Sequence, residues 1–340
     1  MKQLSEKLPY LIKRNQIITT LKAYLEKKDY CAVETNALQI CPGMEIHLEA
    51  FKTKLSFPFE NRNLTRYLHT SPEFAMKKLI SQGMNKIYQF AHVFRNEELS
   101  DIHHPEFTML EFYATQMSYK KLIKECENLI KYAAKKHNIQ EVNFKNSTNK
   151  ITDKWEYITL REAFQKYVDI DLNKILPCSF CLEPDTQLIK KEAIRLGLKV
   201  SDTDRFEDIF FKIMLEYIEP HLGEKRPTVL YDYPVCLGAL ARAKPENPLY
   251  AERFEIYICG VEIANGFGEL TDPVEQMVRF KHDQKIKRDL YGHTYPIDKE
   301  FIKAIGKMPP TSGVAIGIDR LIMLLTHAPN IQTVLWEELS

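Results

Sequence analysis

The run His104-Pro-Glu-Phe-Thr-Met-Leu-Glu-Phe-Tyr113 constrains the fold most. Pro105–Thr115 alternates as a strand does, and side chains along a strand point to opposite faces in turn. Phe107, Met109, Glu111 and Tyr113 therefore share one face, and Glu106, Thr108, Leu110 and Phe112 the other. Just upstream, Ile87–Arg95 is rich in aromatic and β-branched residues and also reads as a strand. A polar loop, Asn96–His104, connects them, so 87–115 is a long hairpin with a wide loop. A face carrying Phe, Glu and Tyr is odd for a core, because a buried carboxylate must be paired. It suits a pocket that stacks a ring on Phe107 and captures an ammonium with Glu111 and Tyr113. A solvent-facing strand with idle charges is the plain alternative.

The rest of the chain supplies helices and more strands. Residues 8–28 read as an amphipathic helix with Ile18, Leu21 and Leu25 on one stripe, followed by an extended run, Cys31–Thr35. Thr70-Ser71-Pro72-Glu73 reads as a helix start, with Pro72 at an early helical position and Gly83 ending the helix. Residues 118–136 form another helix. Residues 137–158 look polar and irregular and are the best candidate for an internal boundary. Helical patterns fill 159–222: Leu160–Tyr167, Thr186–Leu196 and Arg205–Ile218. Strands return at Thr228–Tyr233, Arg253–Ile258 and Val261–Asn265. A last strand, Gly313–Ile318, runs straight into a helix, Asp319–Thr326. Antiparallel strands interrupted by a helical insert predict an α+β fold.

Lys and Arg total 47 against 46 Asp and Glu, a net charge of +1. A protein that grips nucleic acid by its phosphates usually has a basic excess, which is missing here. No signal peptide and no run approaching 18 apolar residues is evident, so a membrane span is not expected. Seven scattered cysteines suit reduced thiols and a cytoplasmic location. Cys178-Ser-Phe-Cys181 is a lone pair, short of a zinc site.

There is no phosphate-cradling G-x-x-x-x-G-K-[ST] loop, no G-x-G-x-x-G after a strand and no H-E-x-x-H. Besides the 87–115 hairpin, two constellations carry chemistry. In Arg253–Glu269, a two-residue turn at Cys259-Gly260 would place 257 opposite 262 and 255 opposite 264. Glu255 and Glu262 would then be diagonal neighbours on one face, roughly 7–8 Å apart. A hard divalent cation with nucleotide phosphates would relieve their repulsion; two exposed surface glutamates are the alternative. In Ser312–Leu321, small residues let backbone approach a ligand closely. Arg320 falls in the first turn of the next helix, where the dipole disfavours a cation. A bound phosphate would make it sensible.

In order and wording these segments resemble the three signature motifs of class II aminoacyl-tRNA synthetases, nearest the lysyl branch. The matching words are T-S-P-E-F at 70–74, F-R-N-E-E at 94–98, H-P-E-F-T-M-L-E-F-Y at 104–113, V-E-I-A-N-G-F at 261–267 and S-G-V-A-I-G-I-D-R-L at 312–321. The resemblance runs from about residue 8 to 330. It implies a class II synthetase catalytic core: an antiparallel sheet flanked by helices, with a helical insert at 159–222 between motifs 2 and 3, all within one domain of 1–340. The motif 1 helix begins within the first ten residues, which leaves no room for an anticodon-binding OB domain. In this the chain is similar to the elongation factor P lysine ligases, which activate (R)-β-lysine with ATP and transfer it to a lysine ε-amine of elongation factor P.

The resemblance implies ATP and Mg²⁺ as cofactors, elongation factor P and (R)-β-lysine or lysine as partners, and a homodimer, with tRNA not expected. It makes Arg95 and Arg320 catalytic. Asn96, Glu97, His104, Phe107, Glu262, Ile263 and Gly317 join them at the nucleotide. Ser71 and Glu73 fall near the reacting end of the amino acid. Glu111, Tyr113 and Glu269 receive its distal ammonium, and Asn265 and Ala315 also face it. Glu255 and Glu262 hold the metal. Four positions depart from the lysyl-tRNA synthetase pattern. Asn36 replaces the motif 1 proline, His104 replaces an Asn that contacts ATP, the loop Leu99–His104 lacks Arg, and Ala315 replaces a glycine. The ligases share that alanine. Two other readings stay open: a minimal tRNA-charging enzyme, and an inactive regulatory paralogue. The second would usually have lost a motif arginine, and Arg95 and Arg320 are both present.

Overall fold

The structure is a computed structural model that describes residues 2–177 and 181–337. Cys178, and with it the Cys178–Cys181 pair, lies outside the described residues. In chain order the elements are α1 (Lys2–Lys27), β1 (Cys31–Ala32), β2 (Leu38–Gln39), β3 (Lys52–Phe57), β4 (Arg62–Leu68), α2 (Glu73–Ser81), β5 (Lys86–Phe94) and β6 (Glu106–Thr115). Then come α3 (Tyr119–Lys136), β7 (Glu141–Phe144), β8 (Ser147–Lys150), β9 (Glu156–Thr159), α4 (Leu160–Val168), α5 (Gln187–Arg195) and α6 (Phe206–Ile213). β10 (Thr228–Pro234), β11 (Ala243–Lys244), β12 (Asn247–Ile258) and β13 (Val261–Gly268) follow. The chain closes with α7 (Pro273–Tyr291), α8 (Lys299–Ile305), β14 (Thr311–Gly317) and α9 (Ile318–Leu325). The fold is α+β, with mainly antiparallel sheet and flanking helices, as the sequence predicts. Among the described residues no helix is long and apolar enough to cross a membrane.

Tertiary contacts divide the chain into two units, 1–117 with 271–340, and 118–270. The sequence placed the internal boundary within 137–158, whereas the divisions fall at 117/118 and 270/271. Nor is 137–158 irregular: β7 and β8 form a hairpin there, and β9 follows. Their alternation is weak because tertiary polar bonds hold them. Asn149, fully buried, accepts from the Cys259 N–H at 3.0 Å and donates to Glu224 O at 3.2 Å.

In the first unit β5, β6 and β14 pair antiparallel, with β1 parallel to β5 at the edge. Val93 opposes Phe107, Gln89 opposes Glu111, and on the other side Ala315 opposes Glu111 and Gly317 opposes Met109. Opposed residues share a face. Phe107, Met109, Glu111, Tyr113, Ala315 and Gly317 therefore line one face of this sheet. Helices α7 and α8 went unread in the sequence. In α7 Gln276, Arg279 and Lys287 are buried beside Phe280 and Ile286, while Val274, Val278 and Leu290 are exposed, which blurs the usual amphipathic pattern. Its ends are well marked. Asp272 caps the first turn by accepting from Val274 and Glu275 N–H groups, and Gly292 takes φ +73° just past the end.

In the second unit β13, β12, β10 and β9 form a sheet, parallel only between β10 and β9. Helices α4, α5 and α6 pack a core around Phe164 and Phe210, whose rings stack 4.8 Å apart. Each such buried ring contributes roughly 1.5–3 kcal/mol. A capping box at Thr159 and Glu162 starts α4. Cys259 and Gly260 take φ of +51° and +74°, the paired positive values of a type I′ turn, so the β12–β13 hairpin turns where the sequence predicts.

Candidate active site

The first unit holds a cluster of carboxylates on and beside β6. Glu111 is 1% exposed. The Ser71 hydroxyl donates to its Oε1 at 2.5 Å and the Tyr113 hydroxyl to its Oε2 at 2.7 Å. Ser71 sits at the mouth of α2, where its Oγ also accepts the Glu73 N–H at 3.0 Å. Pro72 is the residue before that helix, not its first turn. Glu73 pairs with the buried Lys77 one turn on. Burial, and then the nearby Glu73 charge, push the Glu111 carboxyl up to about 8, against the opposing pull of the Ser71 and Tyr113 hydrogen bonds. Ala315 stands directly across from Glu111 on β14. The structure thus brings Ser71, Glu73, Glu111, Tyr113 and Ala315 together. Lys77 was missed, though its i+4 spacing from Glu73 is a sequence signal.

Toward the start of β6 lies a cationic and aromatic group. The Arg95 guanidinium lies 5.2 Å from the Phe107 ring centroid. Its Nε donates to Thr70 O at 3.4 Å. Asn96 N–H bonds Glu49 O at 2.8 Å, and Glu97 takes φ +66° as the strand gives way to the loop. His104 is buried, its Nδ1 against the Glu106 backbone, and its Nε2 has no hydrogen-bond partner among the described residues. Arg320, in the first turn of α9, donates from Nε to Ile102 O at 3.1 Å and lies 2.6 Å from His103 Nε2 through Nη2. Burial and then the Arg320 charge lower the His103 pKa, which suits a neutral ring accepting from the guanidinium. His103 was not singled out from sequence, and no periodic signal marks it. A Cβ on Gly317 would come 3.6 Å from Arg320 Cδ, so the glycine leaves that flank open.

In the second unit the register differs from the simple hairpin. Tyr257 opposes Glu262 as predicted, but Glu255 opposes Asn265 and not 264. Ile263 is the extra, unpaired residue of a bulge, and it is buried. Glu255, Tyr257, Glu262 and Asn265 consequently share a face, and Glu262, opposite Tyr257, remains the diagonal neighbour of Glu255. Glu255 receives Arg253 Nη2 at 2.7 Å and the Tyr257 hydroxyl at 2.7 Å. Both partners stand two residues from it, a period-2 signal that sequence reading passed over. Burial first, then the Glu255 charge, raise the Glu219 carboxyl to about 7. Asn265 Oδ1 is buried without a hydrogen-bond partner among the described residues. Glu269 is fully buried just beyond β13, next to the backbone of Ala241.

A cation fits this face: it carries more carboxylates than arginines and an acceptor oxygen in want of a donor. Among the described residues no group of three or more His, Cys, Asp or Glu could enclose a metal. Two glutamates suffice for an ion that takes its remaining ligands from phosphate and water.

Residues 4–336 match the class II tRNA synthetases (D, K and N). Elongation factor P–(R)-β-lysine ligases are similar along nearly the whole chain. The one from Hamiltonella defensa is 33% identical over 336 residues, covering 98% of this chain and 96% of the relative. Those of Klebsiella pneumoniae and Proteus mirabilis are each 34% identical with the same coverage. The chain belongs to the class II aminoacyl-tRNA synthetase family, in the group that contains the elongation factor P–(R)-β-lysine ligases.

Proposed function

We propose that this protein activates (R)-β-lysine, or lysine, with ATP and transfers it to a lysine ε-amine of elongation factor P. One observation carries the reading. Phe107 and Glu111 stand four residues apart on one strand face, about 13 Å at the usual rise. A ring-stacking group and a buried carboxylate at that spacing match the two ends of an aminoacyl-adenylate.

Phe107 stacks on adenine, with Arg320 near its other face or at the γ-phosphate. Asn96, Glu97, His104, Ile263 and Gly317 complete the nucleotide contacts. Arg95 holds the α-phosphate, where negative charge grows as the substrate carboxylate attacks. Ser71 and Glu73 orient the amino acid near its reacting end. Glu111, Tyr113 and Glu269 receive the distal ammonium, and Asn265 and Ala315 also contact the amino-acid substrate. Glu255 and Glu262 hold Mg²⁺, which when bound neutralises phosphate charge. The protein forms no covalent bond to substrate; it positions an in-line displacement at phosphorus. Pyrophosphate leaves; the acceptor amine then attacks the activated carbonyl, forming an amide as the acyl–phosphate bond breaks and AMP and a proton are released. The protein acts as a cytoplasmic homodimer.

The test is transfer of radiolabelled (R)-β-lysine and, separately, lysine, with ATP and Mg²⁺, to elongation factor P and bulk tRNA offered together. Label on the protein, stronger from β-lysine, is expected. Label on tRNA alone would replace this reading with tRNA charging.

A further inference from the structure

Arg14 lies in the interior of α1, where no motif marks it. Its side chain is buried, at 5% exposure. Nη2 donates to Thr108 Oγ1 at 2.9 Å, and Nη1 donates to Val334 O at 3.2 Å and pairs with the Asp319 carboxylate. Asp319, 1% exposed, accepts the Thr108 backbone N–H at 2.7 Å through its other oxygen. The ladder between β6 and β14 ends at the pair Met109 and Gly317. Thr108 lies one residue beyond it, where β14 has already become α9. The Asp319 side chain supplies the acceptor that the strand no longer offers, as a buried N–H requires.

One guanidinium therefore joins α1, β6, the first turn of α9 and the turn at Ile331–Val334. Two of these joints touch the nucleotide end directly. Thr108 follows Phe107, and Asp319 precedes Arg320. A buried ion pair adds little stability over a well-packed apolar pair, and geometric specificity is the better reason to keep one. Arg also suits the task better than Lys, since its planar fork bonds in several fixed directions at once.

We infer that Arg14 and Asp319 are positioning residues that fix Phe107 and Arg320 relative to each other for ATP. The inference rests on the nucleotide roles proposed for those two residues. Glu111 lies three residues beyond Thr108 on the opposite face, about 10 Å along the strand, so the clamp serves the ATP end and not the lysine end.

The test uses full-length Arg14→Met, Asp319→Leu, the double variant and Arg14→Lys. Each apolar single variant leaves a buried charge alone and can lose its fold. The double variant replaces both charges by apolar groups, so that no buried charge is left alone and only the Thr108 N–H loses its acceptor. Calorimetric ATP affinity, ATP–pyrophosphate exchange with separate KM values for ATP and (R)-β-lysine, and Tm are measured. The double variant is expected to keep Tm within a few degrees, weaken ATP tenfold or more and hold the lysine KM within twofold. Arg14→Lys, folded and still charged, should show a smaller rise in the ATP KM alone. Folded variants with wild-type ATP affinity would overturn the clamp, as would equal losses at both substrates. Wild-type protein that binds ATP but performs no exchange would sink the proposed activity while leaving the clamp to be judged by affinity.

Discussion

Glu111 is a carboxyl raised to about 8 by burial and by the Glu73 charge. At pH 7 in the empty site it mostly carries a proton. In the role proposed for Glu111 a substrate ammonium binds the carboxylate form, so binding would expel that proton. Affinity for lysine or β-lysine should rise about tenfold per pH unit from 6 towards 8 and then level off. Calorimetry in buffers of different ionisation enthalpy should report close to one proton released at pH 7. Glu111→Gln should abolish that release and weaken binding by roughly 1.5–3 kcal/mol, the worth of a hydrogen bond to a charged group. The sign for stability is opposite. The folded pKa lies above the unfolded value of 4.5. The empty fold therefore holds this contribution fully below 4.5 and loses it as pH rises through 8. Arg320→Ala tests the other end of the site. It should lower ATP–pyrophosphate exchange by at least 10²–10³, with an unchanged circular dichroism spectrum.

The loop between β5 and β6 is held by Arg320 through Ile102 O and His103 Nε2. His103 Nδ1 lies 2.7 Å from Ser100 Oγ, so a neutral ring protonated at Nδ1 satisfies both neighbours. The lowered His103 pKa means that this anchoring is present above the ordinary histidine value of 6.5 and is lost as pH falls through the folded value. The protection of amides 99–104 against hydrogen exchange, relative to their intrinsic rates at each pH, should fall on acidification towards pH 5, and His103→Ala should show the lower protection already at pH 7. Unchanged protection in both would disprove the latch. Legibility in sequence follows how local each element is. The hairpin at 87–115 was readable because alternation and a polar loop are local signals. The β12–β13 turn was readable from Cys259-Gly260, but the bulge at Ile263 was not, since nothing in V-E-I-A-N names the residue to be left unpaired. Helix α7 was hidden by its buried Gln276, Arg279 and Lys287; Lys287 is held by partners distant in sequence, donating to Ile46 O and Leu48 O, both at 2.9 Å, while Arg279 pairs with Glu275 one turn back. In the same way the motif residues at 70–74, 94–98 and 312–321 were legible, and Lys77 could have been read from its i+4 spacing to Glu73, while His103 and Arg14 gain meaning only from what they touch.

At the scale of the whole chain, 47 basic residues balance 46 acidic ones. Phosphate binding draws its affinity from released counterions, and each neutralised phosphate needs a Lys or Arg. The loop Leu99–His104, placed against Arg320, brings Asp101 and no arginine of its own. An acceptor stem laid there would meet no new cation. Labelling of elongation factor P should therefore continue at an unchanged rate when bulk tRNA is added in tenfold excess at about 0.15 M salt, where the Debye length is about 8 Å. If a concealed basic face did bind tRNA, inhibition would appear at low salt and fall steeply as salt rises, with a slope that counts the phosphates engaged. A flat response across salt concentrations is the expected result. It would mean that selection against tRNA lies in the charge pattern of this chain.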